Sequence, residues 1–246
     1  LNEVRQGVVL AAGEGQRLRP ITHTTPKPLV PFFGRPLLEW AIGKLIDAGC
    51  ERIAVNAFHR ADAIKAHLAE LASRLPIELH LSEEPALLGT GGAIAHLRPW
   101  LDDAPFYVLN ADAIFEEQVR NAFAAVAQRA PALLVTRDPR FSSERRLIMG
   151  ERDLLSHLEE QSAPSGFTFC GLTLADSDLP QRLPRGPSCI LRQGFLPFLD
   201  SLPVTLVETR GFFADTGTPE SLLDAHRRGL AWVASLPHQP IGQGPR

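Results

Sequence analysis

The sequence predicts an α/β fold in which a mixed, mostly parallel sheet is flanked by helices, with a smaller antiparallel lobe in the second half. Three observations lead there. Short apolar, β-branched runs alternate with amphipathic segments up to about residue 137. Two glycine-rich stretches directly follow apolar runs. Beyond residue 138 the pattern loosens into short apolar segments of the kind that pair antiparallel.

Residues 7–12 are a buried strand bounded by glycines, and residues 13–35, dense in Gly, Pro, Thr and Arg, a long loop. A helix is expected over 36–48, opened by Pro36 and stopped by Gly49. Strand 52–56, helix 61–74 and strand 77–81 follow, then a second glycine-rich loop over 82–92 and a helix over 93–101. Strand 106–109 runs into Asn110 and Asp112, ahead of a helix near 116–129 and a strand at 132–137. Alternation of this kind requires right-handed crossovers and a Rossmann-like sheet whose ligands lie beyond the carboxyl ends of its strands. Both glycine-rich loops and Asp112 fall at such ends.

In the second half, residues 145–149, 154–158 and 167–175 are expected as strands, 190–199 as helical and 204–208 as extended. A clear helix over 218–234 opens on Thr-Pro-Glu, and 235–246 forms a flexible tail. With no repeat and no long linker, residues 1–234 read as a single domain, about 1–137 facing one ligand and 138–234 the other.

Composition excludes several classes. A net charge of −3 carries no polybasic footprint, so a nucleic-acid partner is not expected. No stretch approaches the roughly 18 apolar residues of a membrane span. The charged start followed by VVLAA meets a glycine loop at once and reads as a strand, not a signal peptide. Cys50, Cys170 and Cys189 are scattered without metal-ligand spacing, as in a reducing compartment, and a cytoplasmic protein is expected. A monomer or small homo-oligomer fits, with Phe32-Phe33 and the Trp232 region serving as an interface or as internal packing. Of 25 basic residues only Lys27, Lys44 and Lys65 are lysines, so a lysine that is used invites a specific explanation.

The first chemical constellation is LAAGEGQRLRPITHTTPKPLVP, Leu10 to Pro31. Gly13 and Gly15 after a buried strand allow backbone amides to approach a triphosphate, although the pair alone is equally a tight turn. Arg17 and Arg19 add charge suited to phosphate oxygens. Lys27 stands between Pro26 and Pro28, a compact positive charge on a stiff segment. The spacing is neither that of a P-loop nor that of a dinucleotide-binding fingerprint, since a proline-rich loop stands where a helix should begin. His23, in the same loop, is read as solvated.

The second constellation is Glu84-Pro85-Ala86-Leu87-Leu88-Gly89-Thr90-Gly91-Gly92-Ala93, which by itself is a glycine-rich helix cap. The third pairs Asp112, in VLNADAI, with Asp215, in FFADTGTPES. Thr218 before Pro219 already supplies the N-cap there, so Asp215 is not needed for capping. Two carboxylates at strand ends are the hard oxygen ligands that Mg²⁺ prefers, together with phosphate oxygens and water.

The whole opening string resembles that of the sugar-1-phosphate nucleotidyltransferases, whose pattern runs approximately LAAGxGxRLxPxTxxxPKPLxP. It agrees at Leu10, Ala11, Ala12, Gly13, Gly15, Arg17, Leu18, Pro20, Thr22, Pro26, Lys27, Pro28, Leu29 and Pro31. The EPxxLGTGGA, NAD and DxGTPE elements are similar to that family's too. The resemblance implies transfer of a nucleotidyl group from a nucleoside triphosphate to a sugar 1-phosphate with Mg²⁺, releasing pyrophosphate. It implies nucleotide contacts from Leu10, Ala11, Ala12, Gly13, Glu14, Gly15, Gly89 and Thr90, with Glu84 nearby. Arg17, Lys27 and Asp112 become the catalytic residues, and Asp112 and Asp215 the metal ligands. Asn110 and Gly171 fall on the sugar-phosphate side. Family members often place a second lysine there, and this chain has none after Lys65, which leaves Arg192, or else Arg182 or Arg185, as its replacement. Uridylyl- and guanylyltransferases of N-acetylmuramate, mannose or heptose phosphates are the short members it resembles. Two alternatives stay open: a cytidylyltransferase acting on phosphocholine or another phospho-alcohol, and a catalytically silent nucleotide-sugar-binding regulatory subunit.

Overall fold

The computed structural model describes residues 4–126, 131–138, 140, 146–159 and 166–236. In chain order, β1 (Gln6–Leu10) leads through three single 3₁₀ turns to a tiny hairpin, β2 (Pro31–Phe32) and β3 (Arg35–Pro36). Next come α1 (Leu37–Asp47), β4 (Arg52–Ala57), α2 (Ala61–Ala72), β5 (Glu78–Glu83), α3 (Gly89–His96), β6 (Phe106–Asn110), β7 (Ala113–Phe115), α4 (Val119–Ala122) and β8 (Ala132–Thr136). The second half holds β9 (Arg146–Met149), β10 (Leu155–Glu159), β11 (Thr168–Ala175), α5 (Leu179–Arg182), a π-helical turn (Ile190–Phe195), β12 (Thr205–Glu208), β13 (Phe213–Asp215) and α6 (Pro219–Ser235).

Seven strands form the central sheet in the order β12-β8-β11-β6-β1-β4-β5. Every neighbouring pair is parallel except those of β11, which runs against both β6 and β8. The mixed, mostly parallel sheet is the one the sequence predicts. Its two faces follow strand periodicity. Val9, Val55 and Leu109 pack beneath α1 and α2, while Val8, Ala54 and Val108 pack against α3 and α5. Of the small antiparallel pairs, β9–β10 lies within the second half, while β13 pairs back onto β7 of the first half.

Three elements differ from expectation. The helix expected from residue 93 begins four residues earlier, so its glycines lie inside the first turn. They are there for clearance. A Cβ on Gly92 would sit 2.5 Å from the Gly186 carbonyl oxygen and one on Gly91 2.7 Å from Ser188 Oγ. The helix expected over 116–129 shrinks to four residues, and 127–130 lie outside the described residues, as does the tail from 237 on. The 13–35 loop contains the β2–β3 hairpin, which gives α6 a surface to dock on. Leu222, Ala225 and Trp232 of α6 are buried with Phe32, Leu37, Ile114 and Ala214. The rings of Trp40 and Trp232 are 5.6 Å apart, and those of Phe32 and Phe33 4.7 Å, so this aromatic group packs internally.

Lys44 ties α1 to this region. Its ammonium donates to the carbonyls of Glu116 (3.0 Å) and Glu117 (2.8 Å) and lies 5.1 Å from the Phe115 ring centre and 5.6 Å from that of Trp232. Burial brings its pKa down from 10.5 to about 8, against the opposing pull of Asp47, Glu117 and Glu116. The cost of burying its charge is thus fully present below pH 8 and fades as pH rises towards the unfolded value, because the unfolded chain binds more protons in that window. Stability should rise between about pH 8 and about pH 10 by this contribution. Thermal melts across that range are expected to show the rise in the wild type and a flatter profile in Lys44→Met.

Candidate active site

The sheet reverses its direction of growth at β1. The chain moves outward through β4 and β5, then returns to place β6 on the other side of β1. At such a switch point the loops leaving the two central strands part and open a crevice. Here it is a cleft of about 490 Å³ lined by Leu10 through Arg17 together with Lys27, Asn56, Gly89, Thr90, Asn110 and Asp112. A second chamber of about 690 Å³ adjoins it and shares Arg17, Asn110 and Asp112. Gly171, Asp215, Arg140, Asp224 and Arg228 line its remaining walls.

Local sequence explains how Lys27 arrives. Gly15 has φ +64°, and a Cβ there would come 2.9 Å from Lys27 Cβ and 3.0 Å from Thr22 Cγ2. Only glycine admits both the left-handed backbone and this approach. Thr22 Oγ1 donates to the Gly15 carbonyl at 2.8 Å, stitching the excursion back onto the loop. The ammonium of Lys27 forms a short ion pair with Asp112 Oδ2. Gly13 stands differently: a Cβ there would meet nothing within 4 Å.

Asp215 reaches the same place through β13. Its register partner is Ala113 on β7, beside Asp112. Thr216, fully buried, donates its hydroxyl to the Asp112 carbonyl at 2.9 Å and fixes that junction. Thr218 caps α6 by accepting from Ser221 N at 3.1 Å, so Asp215 is not engaged as the cap. Burial, and then the charge of Asp112, push the Asp215 carboxyl up from its ordinary value, while Lys27, Arg17 and the Gly217 N–H pull it down. Gly217 supplies the clearance, since a Cβ there would lie 2.9 Å from both Arg17 Nη2 and Asp215 Oδ1.

Glu84 is buried behind the cleft wall and is not among its lining residues. Its Oε1 accepts from Asn56 Nδ2 at 2.7 Å and its Oε2 from the Leu88 N–H at 2.9 Å. Asn56 Oδ1 in turn accepts from the Ala11 N–H at 2.6 Å. One carboxylate thus holds both glycine-rich loops to the end of β4. Asn56 was missed from the sequence, where a polar residue closing the apolar run IAVN was its one signal. Thr90 lines the cleft, and its hydroxyl accepts from the Ile190 N–H at 3.0 Å.

On the second chamber, Gly171 (φ +81°) forms the irregularity in β11 beside Asn110, where a Cβ would come 2.8 Å from Ala113 Cβ. The arginines expected here are elsewhere. Arg192 is exposed on the π-helical turn and lines neither chamber. Arg182 is locked onto Asp176 at 2.8 and 2.6 Å. Arg140 and Arg228, distant from each other in sequence, take the chamber wall instead.

Solved structures with the same fold include HddC from Yersinia pseudotuberculosis complexed with GMP-PN (TM-score 0.74, 22% identity, 92% of this chain and 99% of that one). A putative glucose-1-phosphate thymidylyltransferase from Bacillus anthracis is another (TM-score 0.78, 21% identity, 97% and 98% covered). Residues 6–144 match the nucleotidyl transferase family, and the chain belongs to it. It is also 29% identical over 226 residues to the catalytic subunit beta of mannose-1-phosphate guanylyltransferase from Drosophila melanogaster, across 89% of this chain and 61% of that protein. The chain therefore spans about three-fifths of the length of the curated relatives it matches.

Glu84→Ala removes the acceptor from two buried donors, Asn56 Nδ2 and the Leu88 N–H, at a cost of about 1–3 kcal/mol for each left unsatisfied. Denaturant melts are expected to report a loss of that size, and a smaller one for Glu84→Gln, whose carbonyl oxygen still accepts one bond.

Proposed function

We propose that the protein is a nucleotidyltransferase that condenses a nucleoside triphosphate with a sugar 1-phosphate, forming a nucleotide sugar and pyrophosphate. The observation that carries this reading is the meeting of two chambers at one set of charges. Arg17, Asn110 and Asp112 face both, with Lys27 on the first side and Asp215 on the second. A donor and an acceptor bound one in each chamber meet where the two cations and two carboxylates converge.

The chemistry needs positioning and charge rather than covalent help from the protein. An oxygen of the acceptor phosphate attacks the α-phosphorus of the triphosphate. The new P–O bond forms as the bond from the α-phosphorus to the bridging oxygen breaks, and pyrophosphate leaves with that electron pair. The acceptor phosphate is already ionised near neutral pH, so no general base is required. Backbone N–H groups along Gly13–Gly15 hold phosphate oxygens, and open space beside Gly13 leaves room for them. Arg17 and Lys27 offset the charge gathering on the departing side.

Asp112 and Asp215 suit Mg²⁺. The β13–β7 pairing sets Asp215 opposite Ala113, next to Asp112, and burial together with the Asp112 charge raises the Asp215 carboxyl, an environment that a divalent cation would relieve. Mg²⁺ ordinarily takes one or two carboxylates and completes its shell with phosphate and water. When bound, the ion neutralises phosphate oxygens and helps align the reacting groups. Lys27, which pairs with Asp112, would share that carboxylate with the ion and present its charge to the phosphates.

Pyrophosphate release measured over a grid of five nucleoside triphosphates against sugar 1-phosphates and phosphocholine tests the reading. GTP and mannose 1-phosphate head the panel because of the similarity to a mannose-1-phosphate guanylyltransferase. One strongly preferred pair is expected. Lys27→Ala and Asp112→Ala should each lose turnover by at least about a hundredfold, the scale of removing one pre-aligned charge. Wild-type rates in both variants would overturn the assignment.

A further inference from the structure

The second chamber carries charge that the mechanism does not use, on Arg140, Glu220, Asp224 and Arg228. Arg228, on α6, donates from Nε to Asp224 Oδ2 at 2.6 Å and from Nη1 to the Phe213 carbonyl at 3.1 Å, with its guanidinium 5.3 Å from the Phe212 ring centre. Arg140 grips Asp138 through Nε at 2.9 and 3.0 Å to the two carboxylate oxygens. The pairs also feel each other. The Asp138 carboxyl is held low first by its hydrogen bond with Arg140 and also by the Arg228 charge. Arg140 is raised first by its bond with Asp138 and further by Asp224. Arg140, Arg228, Asp224 and Glu220 therefore line the chamber together, with Asp138 holding Arg140 from outside the lining.

Such a lining suits one chemistry and opposes another. Ring hydroxyls both donate and accept, so they can bond to carboxylate and guanidinium together without displacing either. A second anionic group on the acceptor, remote from the reacting phosphate, would instead face Asp224, whose side chain is 53% exposed, with Arg228 already offset by it. Specificity of this kind is built as much from the repulsion as from the attraction.

Resting on the nucleotidyltransferase reading, we propose that Asp224, Arg228 and Arg140 are the specificity-determining residues of the acceptor chamber. They take the uncharged, hydroxyl-bearing ring of a sugar 1-phosphate and, through Asp224, reject acceptors that carry a second anionic group.

The test compares kcat/KM for a neutral hexose 1-phosphate and for the matching uronic acid 1-phosphate, with the preferred nucleoside triphosphate, in wild type and Asp224→Asn. Wild type is expected to favour the neutral acceptor. Asp224→Asn, similar in shape and on an exposed helix face, should shift the ratio towards the uronic acid by about tenfold, the scale of one pocket contact. Arg228→Met gives a second readout: KM for the neutral acceptor should rise while KM for the nucleotide stays as in wild type. Turnover of the neutral acceptor with an unchanged ratio in Asp224→Asn would overturn this inference and leave the proposed function standing. Equal use of both acceptors by wild type would do the same. Turnover of phosphocholine alone, or of no acceptor, would overturn both.

Discussion

At the end of β4, Asn56 turns its side chain away from the strand ladder and bridges two loops that the chain separates by some seventy residues. Its carbonyl oxygen takes the Ala11 N–H, and its amide group gives to Glu84, whose other oxygen takes the Leu88 N–H. Each of these polar groups is buried, so each is costly unless satisfied, and the network is complete only when both loops sit where they do. The loop after β1 and the start of α3 are thereby held in one frame. The shape of the first cleft depends on that frame.

The second chamber depends on a much smaller contact. Three residues of β13 pair with three of β7, and Thr216 locks onto the Asp112 carbonyl. Through it the carboxy-terminal helix is brought under the loop that carries Lys27, and Asp215 is set beside Asp112. Burial first, and then the like charge of Asp112, raises the Asp215 carboxyl, while Lys27 and Arg17 draw it back down. Local strain of this sort is commonly retained where a ligand will relieve it.

Glycines mark the site in two physically distinct ways. Gly15, Gly171 and Gly217 let one piece of protein approach another: the Lys27 segment, the β6 edge, the Arg17 guanidinium. Gly13 faces open space in the first cleft. Gly91 and Gly92, which look like part of a ligand loop in the sequence, belong to the first kind and serve the packing of α3 on residues 186–189. A glycine-rich motif thus contains both open positions and plain close packing, and its letters alone do not separate them.

The sequence by itself determined the alternating strands and helices, the mostly parallel sheet, the two loops at its carboxyl edge, and the candidacy of Lys27, Asp112 and Asp215. Those signals are local: periodicity, a glycine after a strand, a proline-braced lysine, an aspartate not needed as a cap. Only the tertiary structure decided that Glu84 works from behind the wall through Asn56, that α3 starts within its glycines, and that Arg192 is exposed elsewhere while Arg140 and Arg228 line the second chamber. Each of these depends on groups far apart in the chain becoming neighbours. Arg228 and Arg140 sit in stretches with no motif of their own, so nothing in their surroundings distinguishes them from solvated surface arginines. The place of Arg228 is set by the docking of α6, and that docking is a property of the packed molecule rather than of any segment of its sequence.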